Sequence, residues 1–546
     1  MKLLNFINEE TDNANKNQIL VMIVISSLVN SLLIVFISSA AQKVTENSLQ
    51  TADFIFYITA VILYAYVLRY AFFQSFDVLE EIVRKIRIRI IDKIRSINLS
   101  YIENLDRAEL YSRLSEDTNA ISRNNFALLE AVQAAILIVF NFVYLTWVSP
   151  ILSISLVLVI FPVLLIQINN NNKKLSGKLH VAGKKESSFF YHVMELLDGF
   201  KEIKMNRHKN AELLSDIEVL SKQTEELKKD VNRQQTDAVI FFRSSFFILL
   251  ATIVFVMPTV GIVDPHTVYK ITIVVLLIWG PLVRIVTFLP SLSRSNVAID
   301  NLRALESKLD IAFINNQQEH YVSAFMPVTC EFKQTIRLEN VSYAYTDKYG
   351  STSFSIGPIN MEVQKGEIIF IVGGNGSGKS TLLKVITSLY AKTTGSIYLD
   401  SQKVEDSMIA DYRELFSIIF TDFHLFDKLY GLGEIDERRI RELLKLMQLT
   451  DKTEYQEGRF TEQDLSTGQK KRLAFVAALL EEKPIYILDE LAADQDPQFR
   501  KYFYEELLQN LKAQGKTIIA VTHDDHYFHT ADRILKMEYG QLVEYS

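Results

Sequence analysis

Six apolar segments of spanning length crowd the first 290 residues: Ile19–Ala41, Asp53–Phe76, Ala127–Val148, Ile151–Ile168, Ala238–Pro258 and Thr267–Pro290. A bilayer core takes about 20 helical residues, so each segment can cross once. Hydrocarbon offers no partner for exposed backbone groups, which leaves helices as the economical solution. A hydrophobic fraction of 49% and a mean hydropathy of +0.11 agree with a membrane protein. The first segment ends on Ser38-Ser39-Ala40-Ala41, like a cleavage site. Its apolar core, Ile19 to Ile37, exceeds the usual h-region of about 7–15 residues, and Glu9, Glu10 and Asp12 precede it. It reads as a retained transmembrane helix.

Loop lengths and charge set the expected topology. Connections 42–52, 149–150 and 259–266 are short and hold one basic residue, Lys43. Loops 77–126 and 169–237 are long and hold 9 and 13 Lys/Arg. The positive-inside rule places the long loops, and with six crossings both termini, in the cytoplasm. Arg84–Arg95 and Glu186–Lys209 mix apolar and charged residues at helical spacing, so they read as transmembrane helices extended beyond the bilayer. Arg69, Arg243 and Arg284 fall inside apolar segments, towards the cytoplasmic side. They either snorkel to the interface or line a cationic vestibule for an anionic cargo.

At 546 residues the chain is too long for one core. Residues 301–332 read as a polar connector between a transmembrane domain, 1–300, and a domain at 333–546. The latter changes to short apolar strands and amphipathic helices, an α/β pattern. A net charge of −7 gives no support to nucleic-acid binding. Cys330 is the only cysteine, which excludes an internal disulfide and a cysteine-based zinc site.

The α/β half carries a nucleotide motif in its expected context. Glu367–Val372 reads as a buried strand, Gly373-Gly374-Asn375-Gly376-Ser377-Gly378-Lys379-Ser380 satisfies GxxxxGKS, and Thr381–Leu389 reads as a helix. Glycines let backbone N–H groups turn inward around phosphates, and the helix N-terminus adds a favourable dipole. The motif assigns Lys379 to the β/γ-phosphates and Ser380 to Mg²⁺. A second buried run, Pro484–Leu488, ends in Asp489-Glu490. Asp489 is placed to hold Mg²⁺, and Glu490 to act as general base for the attacking water.

Leu465-Ser466-Thr467-Gly468-Gln469 lies between these two elements and resembles the LSGGQ signature of the ATP-binding cassette (ABC) transporter superfamily, with Thr467 replacing the first glycine. The resemblance covers essentially the whole chain. It implies a membrane α-helical bundle of six helices followed by a cytoplasmic α/β P-loop ATPase. It implies that Ser466, Thr467, Gly468 and Gln469 face ATP held by an opposite subunit through Gly373, Asn375–Thr381 and Mg²⁺. It also implies that Asp496 is the D-loop aspartate and His523 the switch histidine, and that Tyr345 stacks on adenine, with Tyr343 its neighbouring alternative. The family's Q-loop glutamine is replaced by Thr421, so Mg²⁺ coordination there passes to water or to Asp422. Asn98–Glu103 with Leu110–Leu114, and Glu195–Met205, resemble the coupling segments of exporters.

A narrower resemblance rests on Ala492-Ala493-Asp494-Gln495-Asp496-Pro497 and Phe420–Phe426, which look like the bacterial cyclic-peptide and siderophore-precursor exporter branch, of syringomycin and pyoverdine type. It implies an ATP-driven homodimer in the bacterial inner membrane, moving a peptide-like, amphipathic cargo outward by alternating access. The other expectations are a multidrug or lipid exporter and a membrane-tethered ATPase sensor that transports nothing.

Overall fold

The computed structural model describes residues 2–11, 13–45, 50–148, 150, 161–259, 265–315, 330–346, 352–433, 435–462 and 464–545. The chain divides into two compact units, residues 1–95 with 105–311, and residues 96–104 with 312–546.

The first unit is helical, with long helices Asn13–Thr45, Thr51–Arg95, Asn125–Val148, Phe161–Asp198, Arg207–Ala251 and Pro265–Asn315. Among the described residues, five stretches are long and apolar enough to cross a membrane: Asn17–Ile37, Thr51–Arg95, Glu109–Trp147, Arg207–Val256 and Ile271–Phe313. Most of the expected span 151–168 lies outside the described residues. Phe54, Phe56, Ile62 and Tyr66 are exposed, as side chains facing lipid would be. Helix Thr51–Arg95 extends about 68 Å at 1.5 Å per residue, well beyond a hydrocarbon core of about 30 Å. Its charged end is held by ion pairs inside the unit. Arg89 lies 2.7 Å from both Glu10 and Glu306, and Lys93 lies 2.7 Å from Asp310. Arg69, Arg243 and Arg284 are exposed, and the Arg69 guanidinium sits 5.0 Å from the Phe73 ring centre.

The second unit is built on a six-stranded sheet. Its order is Gln541–Glu544, Arg533–Glu538, Ile368–Gly373, Thr517–Val521, Ile485–Asp489, Phe416–Ile419. All neighbours are parallel except the first pair. Central strands Ile485–Asp489 and Thr517–Val521 are buried along their whole length, which explains their unbroken apolar runs. One core fills the space between this sheet and a four-stranded antiparallel sheet that includes Thr335–Thr346 and Thr352–Gln364. A second core joins its other face to helices Glu437–Leu446 and Thr467–Leu480.

Residues 96–104 complete this unit, although both flanks of the segment belong to the first. The short helix Leu99–Glu103 packs Leu99 against the first core. Glu103 accepts from Lys384 Nζ at 2.8 Å and from the Tyr390 hydroxyl. Leu110–Leu114, expected to act with this segment, belongs to the other unit. Phe200 and Met205 of the helix Phe200–Met205 are exposed.

Candidate nucleotide site

Four parallel strands bring the site together because they end level. Val521 is in register with Ile371 on one side and Asp489 on the other, and Ile419 pairs with Leu488. Gly373, Asp489, Thr421 and His523 therefore all sit at or within two residues of the same sheet edge. The carboxyl ends of parallel strands are where open α/β sheets bind ligands.

The phosphate loop needs glycine at two positions for different reasons. Gly373 has φ 146, and a Cβ there would lie 2.3 Å from the Met537 carbonyl oxygen. Gly378 has φ 105, and a Cβ would meet Ile356 at 2.7 Å. Gly378 is also the N-cap, so the helix is Lys379–Ile386 and starts two residues before the expected Thr381. Gly374, Asn375 and Gly376 form an exposed lip. Lys379 is buried and arches back, donating to Gly373 O at 2.8 Å and Gly374 O at 3.1 Å. Burial pulls its ammonium below the usual lysine range, against the charges of Glu490 and Asp489. The Ser377 hydroxyl oxygen is buried and has no hydrogen-bond partner among the described residues, as a group suited to an anionic ligand would be.

Ser380 Oγ donates to Asp489 Oδ2 at 2.9 Å, and the Thr421 side chain stands near enough to favour the ionised form of Asp489. Asp489 is 2% exposed, and burial raises its carboxyl above the ordinary range while the two hydroxyls pull it down. Asp422 is exposed, and among the described residues the bond to Asp489 comes from Ser380 and not from Asp422. Thr421, two residues beyond the strand Phe416–Ile419, is thus the one of the two whose side chain influences Asp489. Glu490 has φ 51, and its backbone N–H donates to Val521 O at 3.2 Å. Its Oε1 lies 3.3 Å from His523 Nε2.

The tyrosine alternatives separate in space. Tyr343 is buried and stacks on Tyr390 with ring centres 4.7 Å apart. Tyr345 reaches the phosphate-loop helix, its hydroxyl 3.2 Å from Thr381 Oγ1.

The signature residues lie in a separate group. Ser466 caps helix Thr467–Leu480, and Gln469 returns the bond to Ser466 N at 3.0 Å, a reciprocal cap. None of the hydrogen bonds of Ser466–Gln469 among the described residues reaches the phosphate loop. Asp496 caps helix Pro497–Tyr502 through Phe499 N at 2.9 Å and pairs with Arg472 at 2.6 Å. Those donors hold its carboxyl below the usual range.

Lys471, Arg472 and Gln495 join the signature helix to the segment after Glu490; the motif reading passed over Lys471 and Arg472 and gave Gln495 no contact of its own. A signal existed for Lys471. It shares the buried helix face with Phe475, Ala478 and Leu479, at spacings of four, seven and eight.

The ABC transporter model matches residues 356–493, and the model of the ABC transporter transmembrane region matches residues 18–279. ATP-binding protein SyrD of Pseudomonas syringae pv. syringae is 35% identical over 481 residues, 85% of this chain and 82% of its own length. The chain belongs to the ABC transporter family. The ATP-dependent lipid A-core flippase of Wigglesworthia glossinidia brevipalpis is 22% identical over 485 residues, 85% of this chain and 80% of its own. A solved structure of a bacterial Atm1-family ABC exporter with ATP bound matches with a TM-score of 0.76 at 15% identity, covering 98% of this chain and 95% of that one. This ABC transporter therefore has the exporter fold, with membrane helices and one ATPase cassette on one chain. Its cassette binds ATP and couples hydrolysis to transport.

Proposed function

We propose that the chain works as a homodimer in the bacterial inner membrane and exports a peptide-like cargo, by alternating access driven from two composite ATP sites. The observation that carries the two-subunit reading is the separation of the signature from its own phosphate loop. Ser466–Gln469 is bonded to its own cap and to Gln495, and among the described residues no hydrogen bond joins it to residues 373–381. A second copy supplies the missing half of each site, and a closed twofold pair is the simplest assembly.

Within each site, Gly373, Asn375, Gly376, Ser377, Gly378, Lys379 and Thr381 would hold the phosphates and Tyr345 the adenine. Ser380 and Asp489, with Thr421 beside them, present the hard oxygen donors that suit Mg²⁺, which would neutralise phosphate charge there. Glu490 is the general base, and His523 holds its carboxylate.

Peptide cargo rests on the resemblance of residues 420–426 and 492–497 to the cyclic-peptide exporter branch. The 35% identity to SyrD over most of both chains supports it. A lipid cargo is the second reading, supported by the flippase relative. ATP-dependent uptake into inverted vesicles decides between them. A labelled cyclic lipopeptide should accumulate with wild-type protein and not with Glu490→Gln. Uptake of a fluorescent lipid alone would overturn the peptide reading. No ATP-dependent uptake of either would overturn transport of both classes.

A further inference from the structure

Lys471 lies on the signature helix and is 3% exposed. A buried ammonium is costly unless its protons find acceptors. Here they reach across to the segment that follows the base strand. Nζ donates to the Glu490 carbonyl oxygen at 2.8 Å and pairs with Asp494 Oδ2 at 2.7 Å. Glu490 is the residue at φ 51, a left-handed conformation that a non-glycine residue keeps only when its surroundings hold it.

A second tie runs the other way. Gln495 is 6% exposed and donates from Nε2 to Gly468 O at 2.9 Å, while its Oε1 accepts from Arg472 Nε at 2.7 Å. The backbones approach so closely that a Cβ on Gly468 would lie 2.6 Å from Asp494 O. The signature loop and the segment 490–496 are thus joined at several points, and neither can shift without carrying the other.

We propose that Lys471, seconded by Gln495, is a positioning residue that ties the backbone of the base in one ATP site to the signature loop serving the other, so that the two hydrolysis events depend on each other. The proposal rests on the two-subunit reading above. Glu490 acts on the ATP of its own subunit, whereas Ser466–Gln469 faces the ATP of the second copy. A rigid tie between them gives each site a mechanical report of the state of the other. Lys471 need touch neither ATP to do this.

The test uses the full-length transporter in lipid nanodiscs, with steady-state hydrolysis measured across ATP concentration and ATP affinity measured with a fluorescent analogue. Wild type should hydrolyse with a Hill coefficient above unity. Lys471→Met should lower kcat on the order of tenfold with KM and analogue affinity within about twofold, and its Hill coefficient should fall to unity. Lys471→Arg keeps a cation with several donors and should restore much of both. Asp494→Asn and Gln495→Leu should shift kcat and cooperativity in the same direction by less, and they carry the test where Lys471→Met fails to fold. Unchanged kcat and Hill coefficient in the folded variants of a dimeric protein would overturn the proposal. A monomeric wild type by light scattering with ATP present would overturn the two-subunit reading instead, and the cross-site tie with it.

Discussion

His523 Nε2 stands 3.3 Å from Glu490 Oε1, and Glu490 reaches that position from a left-handed backbone at the end of a fully buried strand. The contact places a ring that can carry charge against the carboxylate assigned as base. Glu490→Gln keeps the shape and removes the proton acceptor. It should bind ATP, stall in the closed dimer and lose about 10²–10⁴-fold in kcat. Single-turnover hydrolysis with labelled ATP checks this, and sustained wild-type turnover would remove Glu490 from the base role.

Thr421→Ala should move the acid limb of the ATPase profile to higher pH. The Thr421 hydroxyl favours the ionised form of Asp489, whose carboxyl burial already raises. Losing the hydroxyl raises it further, so more base is needed to ionise the carboxylate that would hold Mg²⁺. Rates measured across pH at saturating Mg²⁺-ATP test the shift. A profile that superimposes on wild type counts against the direct role of Thr421.

The same burial has a consequence for the ligand-free protein. Folded and unfolded chains both carry Asp489 neutral below its ordinary range, and stability is then undiminished. As pH rises through the raised folded value, ionisation costs the folded state stability. Asp489→Asn should remove that loss. Near neutral pH the ligand-free variant should melt at a higher temperature than wild type, while hydrolysis is abolished. A melting temperature below wild type would contradict the assignment.

Glu103 and Lys384, 2.8 Å apart, offer a test of coupling away from ATP chemistry. Glu103→Gln leaves the phosphate loop intact, so ATPase activity should stay within about threefold while vesicle uptake falls about tenfold. Exchanging the charges, Glu103→Lys with Lys384→Glu, should recover part of the uptake. Equal loss of hydrolysis and uptake would mark the contact as purely structural.

Gly373→Ala should be poorly tolerated. The new Cβ would lie 2.3 Å from a backbone carbonyl at a φ of 146, and neither can yield cheaply. The cost should exceed the roughly 1–3 kcal/mol of ordinary backbone strain. Thermal melting of the purified variant, with ATP affinity measured alongside, checks it.

The grouping of the candidate site residues was legible because each stands near the end of a recognisable apolar strand. Gly373, Asp489, Thr421 and His523 follow four such runs, and parallel pairing alone brings them to one edge. Tyr345 and Tyr343 could not be separated by spacing, because they stand two residues apart in one regularly paired stretch of strand and so share a face. The contacts made by Lys471 and Gln495 stayed hidden for a different reason. Their partners are backbone carbonyls 19 and 27 residues away, and nothing in a sequence marks a carbonyl as an acceptor. The place of Ser96–Asn104 in the second unit depends on Glu103 meeting Lys384 across 281 positions, a pairing that helical periodicity does not encode.

That nine-residue insertion, 96–104, makes the order of synthesis matter. The peptide that closes the cassette surface leaves the ribosome more than 200 residues before the cassette itself. A cassette made alone would present Lys384 and Tyr390 with no Glu103 to meet them, and an uncovered apolar notch where Leu99 belongs. Completion of the last domain therefore waits on a segment made long before it, so a chain cut between the two cannot finish that surface.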